Sequence, residues 1–481
     1  MVGGGIAGLA CAWTLGRLLR DAGREEEVVL IEATSRLGGR IRTDEAVLPG
    51  FGRFLIEAGP DSFLTRKPEV LRMVEALGLS DRLIATRGSG GSFVYFDRRL
   101  RRIPEGLVLM VPSRLSSLLK TDLLSLRGKA RALMDLVIPK RRGDGDESLA
   151  SFVSRRLGRE VLERIAEPLI AGIHGADPET MSLKASFPSL LEMELARGSV
   201  IRAALAASAR RPAPPQAGGR RLSYFMSFDE GMEILPRALA EDLEGARVLL
   251  GRPVRRLAPV SGGYALGVGD ETVVAEGVVL AIDSEEASGL LRPHFPDLAE
   301  EVGALGARRA GTVSLAFRRR DIGVALRGHG FVIPRSEGRP VMGVTYASLK
   351  WQNRSPEEDV VLLRAFVGGI AGQEILSRGE EATARAARDQ IRELLQIRED
   401  VPALLERAYV HGRGMPQYQL GHLERIGRIE AKLREAGPIF VAGAPYYGIG
   451  IPDCIASGAR AAERLFESAL SRAGKESAGN A

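Results

Sequence analysis

The sequence predicts an α/β fold: a Rossmann-like parallel sheet assembled from separated stretches of chain, a second sheet of mixed, mostly antiparallel character, and a helical insert. Three observations carry that prediction. The chain opens with Gly3, Gly5 and Gly8 in the spacing G-x-G-x-x-G, directly ahead of a run with helical character, Leu9 to Leu19. "EEEVVLIEA" then supplies a short apolar strand ending in Glu32. Near the carboxyl end, "GPIFVAGAPYYGIGIPDCIASGARAAERL" repeats the order of strand, glycine turn and helix.

Each part has a physical reason. The first glycine allows a tight turn, the second lets the backbone approach a pyrophosphate, and the third lets helix and strand pack closely. Ile6 and Ala7, between the second and third glycines, lead into the helix, whose free N–H groups and dipole favour an anion. Glu32 sits where an acid accepts hydrogen bonds from a ribose, with Ala33 beside it. Only Met1 and Val2 precede Gly3, where a buried central strand is expected. Unpaired buried backbone groups cost roughly 1–3 kcal/mol each, so the expectation is that about five apolar, β-branched residues upstream complete that strand.

At 481 residues the chain is long enough for two or three domains. Its net charge of +6 comes from Lys and Arg scattered among Asp and Glu, with no zinc knuckle, aromatic-basic interleaving or basic tail. That pattern reads against nucleic acid. Cys11 and Cys454 lie far apart, which suits a reducing compartment and offers no disulfide framework. His174, His294, His329, His411 and His422 show no metal spacing, so no metal is expected and most are placed on the surface or in loops. His174 stands out as a neighbour of Gly172. No secretory pattern opens the chain and no run reaches the ~18 apolar residues that span a bilayer, so the reading is a cytoplasmic enzyme.

"SRLGGRIRT" extends the cofactor signal. Arg36 and Arg40 flank Gly38 and Gly39, and two guanidinium groups around paired glycines can steady a second pass of the chain along a diphosphate. Here the sequence resembles the FAD-binding oxidases of the amine oxidase and protoporphyrinogen oxidase superfamily, with their discontinuous, GR2-type cofactor fold. "IEAGPDSF", containing Gly59, Pro60 and Asp61, is similar to that group's turn beside the flavin ring. The resemblance implies FAD as cofactor, with Gly443, Gly450, Ile451 and Pro452 closing its site. Small Ala456, Ala459 and Ala462 would let the last helix approach the isoalloxazine, its dipole stabilising reduced flavin. Ala444 departs from the family's Asn or Asp, so backbone or water must replace that side-chain hydrogen bond.

Interior stretches such as "EPLIAGIHGADPETMSL", "SFDEGMEILPRAL" and "MPQYQLGH" resemble bacterial protoporphyrinogen oxidases of the haem pathway, in some lineages called coproporphyrinogen oxidases. The resemblance implies a porphyrinogen substrate, three two-electron oxidations and molecular oxygen as acceptor, with a ferrochelatase-type downstream enzyme as a further partner. It places the backbone at Val254 against adenine, puts Val332, Thr345 and Phe366 in the substrate pocket, and gives Gly172 and Ala176 to a loop facing the tetrapyrrole. No protein acid or base is assigned, because the flavin carries the redox chemistry. Ser92 stands where other members place a propionate-pairing arginine, so Arg66 and Lys67 are the candidates to replace it.

These anchors give 1–63, 221–290 and 436–475 to the cofactor domain, 64–105 and 291–435 to the substrate domain, 106–209 to the helical insert, and 210–220 to a Pro-rich loop. In the insert, Leu115, Leu118, Leu119, Leu123 and Leu126 fall at helical spacing with basic flanks. Such a stripe faces either a core or anionic lipid, and at most weak, salt-sensitive attachment to the inner face of the cell membrane is expected. The alternatives are a flavin amine oxidase, with Tyr446 and Tyr447 as its aromatic cage, a carotenoid desaturase-like enzyme, and a non-catalytic FAD-fold binding protein. Protoporphyrinogen against coproporphyrinogen, and the oligomeric state, stay open at this level.

Overall fold

Short apolar triplets build the parallel sheet. In the computed structural model, which describes residues 1–479 apart from 89–90, 105, 109, 210–215, 218–219 and 357–358, Val29–Ile31 pairs with Arg247–Leu249 and Val278–Leu280 pairs with Ile439–Val441. Side chains are not described for 108, 171–174, 216–217, 220–221 and 473–479. Val2 bridges Ile31 on one side and Leu280 on the other, so the opening dipeptide lies between the two pairs. Val2 N–H donates to the Val279 carbonyl at 2.9 Å and Gly3 N–H to the Ile31 carbonyl at 2.8 Å.

Alternation along these triplets sorts the core into two layers. Leu30, Val279 and Phe440 pack beneath the first helix, Ile6–Asp21, and the last, Ile451–Gly479. Ile31, Val278, Leu280, Ile439 and Val441 face the opposite layer, made by helices Ser284–Leu291, Pro296–Gly303 and His422–Ala436 and by strands between Val254 and Ala275. The first and last helices touch through backbone. A Cβ on Gly458 would lie 2.2 Å from the Ala7 carbonyl oxygen.

The second sheet has seven strands in the order Leu405–Pro416, Ala307–Arg318, Val360–Val367, Val341–Tyr346, Gly330–Val332, Phe93–Phe96, Arg99–Arg102. Every pairing is antiparallel except that of Gly330–Val332 with Phe93–Phe96. Val313, Leu315, Val344, Leu363 and Ala365 form one face, covered by helix Glu380–Leu395. Strand alternation therefore turns Thr312, Thr345, Arg364 and Phe366 to the other face, part of which is closed by hairpin Thr43–Leu48/Gly52–Glu57.

The insert packs its helices around Leu149, Phe152 and Ile165. At its centre Arg156 and Asp135 are both fully buried, with Arg156 Nε donating to Asp135 at 2.5 Å. The other Asp135 oxygen accepts from Ser199 Oγ and Ile201 N, while further guanidinium N–H groups reach the carbonyls of Ile138, Pro139 and Gly198. An ion pair so completely hydrogen-bonded escapes the penalty of a buried unpaired charge. The leucine stripe read from the sequence does not form one helix. Leu115–Lys120 and Leu126–Leu133 are separate helices: the backbone turns extended at Thr121, and Ser125 caps the second by accepting from Gly128 N at 3.0 Å. Leu118 and Leu123 are buried, whereas Leu115, Leu119 and Leu126 are exposed. Most of the Pro-rich stretch, 210–215 and 218–219, lies outside the described residues. Among the described residues no helix is long and apolar enough to cross a membrane.

The close helix contact yields a test. Gly458→Val should force the last helix away from the first and destabilise the protein by roughly 1–3 kcal/mol, read as a lower denaturant midpoint. An unchanged midpoint would show that the helices separate without cost.

Candidate active site

Three glycine turns meet by backbone alone. Gly38 N–H donates to the Gly4 carbonyl at 2.8 Å, and Gly5 and Gly38 are bridge partners. A Cβ on Gly8 would lie 1.9 Å from the Gly3 carbonyl oxygen, and one on Gly59 only 1.8 Å from that of Arg40. Gly5 caps the first helix with no side-chain hydrogen bond, and a Cβ placed on it meets nothing within 4 Å. Open space thus faces the helix N-terminus at Ile6 and Ala7, a cradle that fits a diphosphate.

The predicted polar residues lie around this cradle, with several already engaged. Glu32 Oε2 accepts from Gly4 N at 2.7 Å, and its Oε1 accepts from Thr34 N and Thr34 Oγ1. Arg252 N donates to the Glu32 carbonyl and Gly251 N to that of Thr34, which carries the chain to Val254 beside the exposed Ala33. Arg36 donates to the carbonyls of Gly39 and Ile41, both at 2.7 Å, and pairs with Glu233. Arg40 reaches Asp283 at 2.6 Å and the Arg413 carbonyl at 2.7 Å. Arg36 therefore holds the Gly38–Gly39 turn from within the protein, and Arg40 ties the chain just after it to Asp283 and the Arg413 carbonyl.

At the carboxyl end, Gly443 N donates to Ser457 Oγ, and Tyr418 Oη donates to the Ala444 carbonyl while accepting from Gly448 N, each at 2.6 Å. Ile451 and Pro452 are buried at the start of the last helix, with Cys454 N bonded to the Gly450 carbonyl. Tyr418 was not anticipated from the sequence. It stacks on His422, ring centroids 4.0 Å apart, whose Nε2 lies 3.1 Å from the Tyr446 carbonyl. The expectation of surface or loop histidines holds for exposed His294 but fails for buried His422 and half-buried His411, which burial shifts toward the neutral form.

Buried charges surround the Gly59 turn. Burial pushes the Glu57 carboxyl up to about 6, in spite of Arg354 and of hydrogen bonds from Thr43 Oγ1 and Met232 N. Burial alone would also raise Asp61, but Lys350 at 3.0 Å, Arg364, Trp351 and Ser62 hold it well below the usual carboxylate range. Pro60 sits half-buried between Gly59 and Asp61. Arg364 donates to the Gly59 carbonyl, and Thr312 Oγ1 to that of Ala58 at 2.9 Å. His411 Nε2 is 3.2 Å from the same Ala58 oxygen.

The structure brings Val332, Thr345 and Phe366 together: Val332 and Phe366 both pair with Gly343, and Thr345 pairs with Arg364. All three are half-buried on the sheet face that carries Thr312 and Arg364, and Val332 also packs against the insert, where Ala176 is buried. Gly172 lies in helix Glu167–His174, but the side chains of 171–174, His174 included, fall outside the described residues. The carboxylate candidates are less free than expected. Lys67 is paired with Asp453, and exposed Arg66 lies over the Tyr224 ring at 5.5 Å. Ser92 precedes strand Phe93–Phe96. Tyr446 and Tyr447 pack into the layer of Ile429 and Leu433, with Tyr447 Oη bonded to Glu430, and so form no open cage.

Comparison with known proteins agrees with this geometry. The flavin containing amine oxidoreductase profile matches residues 6–466. The coproporphyrinogen III oxidase of Bacillus subtilis is 31% identical over 465 residues, covering 95% of each chain. Protoporphyrinogen oxidase 1 of Arabidopsis thaliana chloroplasts is 31% identical, over 95% of this chain and 85% of that one. A crystal structure from Exiguobacterium sp. 255-15, provisionally named a protoporphyrinogen oxidase, superposes with a TM-score of 0.83 at 29% identity over 97% of each chain.

The raised Glu57 carboxyl predicts a pH dependence. Native protein holds this proton more tightly than the unfolded chain, so the group's stabilisation is present below the ordinary value of 4.5 and is lost as pH rises through about 6. Denaturant midpoints of wild type and Glu57→Gln, measured across that window, should diverge in the variant's favour as pH rises. Parallel curves would contradict the burial of an ionisable Glu57.

Proposed function

The chain belongs to the flavin-containing amine oxidoreductase family, and we propose that within it this protein oxidises a porphyrinogen to a porphyrin in haem biosynthesis. The observation that carries this reading is the direct junction of the Ala58–Gly59 turn, through Thr312 and Arg364, to the sheet face holding Val332, Thr345 and Phe366. A flat aromatic wall beside a cofactor turn suits a large tetrapyrrole, and full-length relatives named for coproporphyrinogen and protoporphyrinogen support it.

FAD, when bound, supplies the two-electron acceptor. The chain's own residues bind and orient. The N-termini of the first and last helices would hold the cofactor's negative groups, the glycine turns would let backbone approach it, and Phe366 would stack on a pyrrole ring. In each round a bridge carbon loses a hydrogen with its electron pair and the macrocycle loses one proton to water or a backbone carbonyl. Over three rounds four bridge hydrogens and two N–H hydrogens leave, so one of the three protons comes from a bridge carbon. Three rounds remove six electrons and six hydrogens, and three molecules of oxygen become three of hydrogen peroxide. The gain in conjugation drives the reaction, so binding geometry is the main demand on the protein.

The reading divides the chain as the sequence suggested, with 1–63, 221–290 and 436–475 holding cofactor and the insert closing the substrate face. It also includes weak contact with anionic lipid through exposed Leu115, Leu119 and Leu126 beside Lys120 and Arg127, and a downstream metal-inserting enzyme that takes the product.

FAD-loaded protein should develop porphyrin fluorescence on protoporphyrinogen IX or coproporphyrinogen III and release peroxide in step; activity on simple amines alone would reject the proposal. Phe366→Ala should raise KM roughly tenfold through loss of an aromatic wall. Vesicles of anionic lipid should retain some protein at low salt and release it at high salt, and equal recovery at both would remove the lipid contact.

A further inference from the structure

Five charged side chains lie largely out of water around Gly59: the carboxylates of Glu57 and Asp61 and the cations of Lys350, Arg354 and Arg364. Lys350 pairs with Asp61 at 3.0 Å and Arg354 with Glu57 at 3.5 Å. Arg364 is the cation in excess. Its residue is only 3% exposed, it donates to the Gly59 carbonyl, and its Nε has no acceptor. Arg354 Nε also has no acceptor, but its terminal nitrogens donate to the carbonyls of Phe228 and Asp229 and to Ser227 Oγ as well. An arginine carries five N–H donors, and a buried guanidinium short of acceptors is costly.

Position makes this deficit meaningful. Arg364 pairs in register with Thr345, and its guanidinium carbon lies 4.8 Å from the centre of the Phe366 ring. It thus stands on the substrate face, between the aromatic wall and the cofactor turn. Lys67 and Arg66, the carboxylate partners suggested by sequence, are occupied by Asp453 and by the Tyr224 ring.

We propose that Arg364 binds a carboxylate of the substrate where Phe366 and Thr345 meet the Gly59 turn. The inference rests on the porphyrinogen reading and adds the group that recognises the macrocycle's acidic side chains. A planar guanidinium supplies paired N–H donors to a carboxylate, which an ammonium at the same place cannot match. The site should therefore prefer macrocycles that carry propionates at that edge.

The test uses FAD-loaded wild type, Arg364→Lys and Arg364→Met, with coproporphyrin III and its tetramethyl ester as equilibrium probes. Flavin occupancy is read by absorbance. On the flavin-loaded fraction, the Met variant should bind the free acid roughly tenfold or more weakly relative to the ester, as expected for a lost charge-assisted hydrogen bond. Arg364→Lys should fall between. Equal weakening of acid and ester, loss of flavin from both variants, or unchanged acid binding would overturn the proposal, the second result assigning Arg364 to the cofactor turn. Wild type inactive on every porphyrinogen would defeat the functional reading, whereas active wild type with an insensitive Arg364 would defeat this inference alone.

Discussion

The architecture depends on backbone meeting backbone at glycine. Gly8 against Gly3, Gly39 against Gly5, Gly59 against Arg40, and Gly458 against Ala7 are contacts that a side chain would push apart. They draw the opening turn, the Gly38–Gly39 turn, the Gly59 turn and the last helix into one place, although these segments are far apart in the chain. Had any of them carried a Cβ, the layers above and below the parallel sheet could not close on a common centre. The open space beside Gly5 leaves the N-terminus of the first helix accessible to an anion.

Around that centre the protein spends its polar residues on holding backbone. Arg36 and Arg40 bind carbonyls, Thr312 and Arg364 anchor consecutive carbonyls of the Gly59 turn, and Tyr418 ties Ala444 to Gly448. Such bonds fix position without presenting a reactive acid or base. That matches chemistry in which the electron acceptor is a bound group and the protein's contribution is orientation. The same rigidity ties the seven-stranded sheet to the Gly59 turn, to which it is hydrogen-bonded through Thr312 and Arg364.

The insert follows a different rule. Its centre is an ion pair, Arg156 with Asp135, saturated with hydrogen bonds, and apolar packing surrounds it. A fully satisfied pair of this kind sets the relative positions of several short helices more specifically than apolar contact would, since displacement leaves a charge unpaired. Between its leucines the chain breaks locally, the first helix ending where Thr121 is extended and the second starting at the capping hydroxyl of Ser125.

Sequence alone determined the parts governed by local chemistry. The glycine spacing, the acid at Glu32, the second Gly38–Gly39 turn and the alternation of the long strands were legible because each reflects a backbone or periodicity requirement visible in a few residues. The shared face of Val332, Thr345 and Phe366 came from resemblance and fits the register. Only the tertiary structure decided which charges are free. Lys67 is bound by Asp453, hundreds of residues away, and Arg364, a lone cation in the apolar run "VVLLRAFVGG", acquires its place from a strand pairing and a turn that no local pattern encodes. Burial of His422 beneath Tyr418 has the same origin. Hydrogen-bond partners and desolvation are properties of contacts between distant segments, so they exist only once the chain has folded.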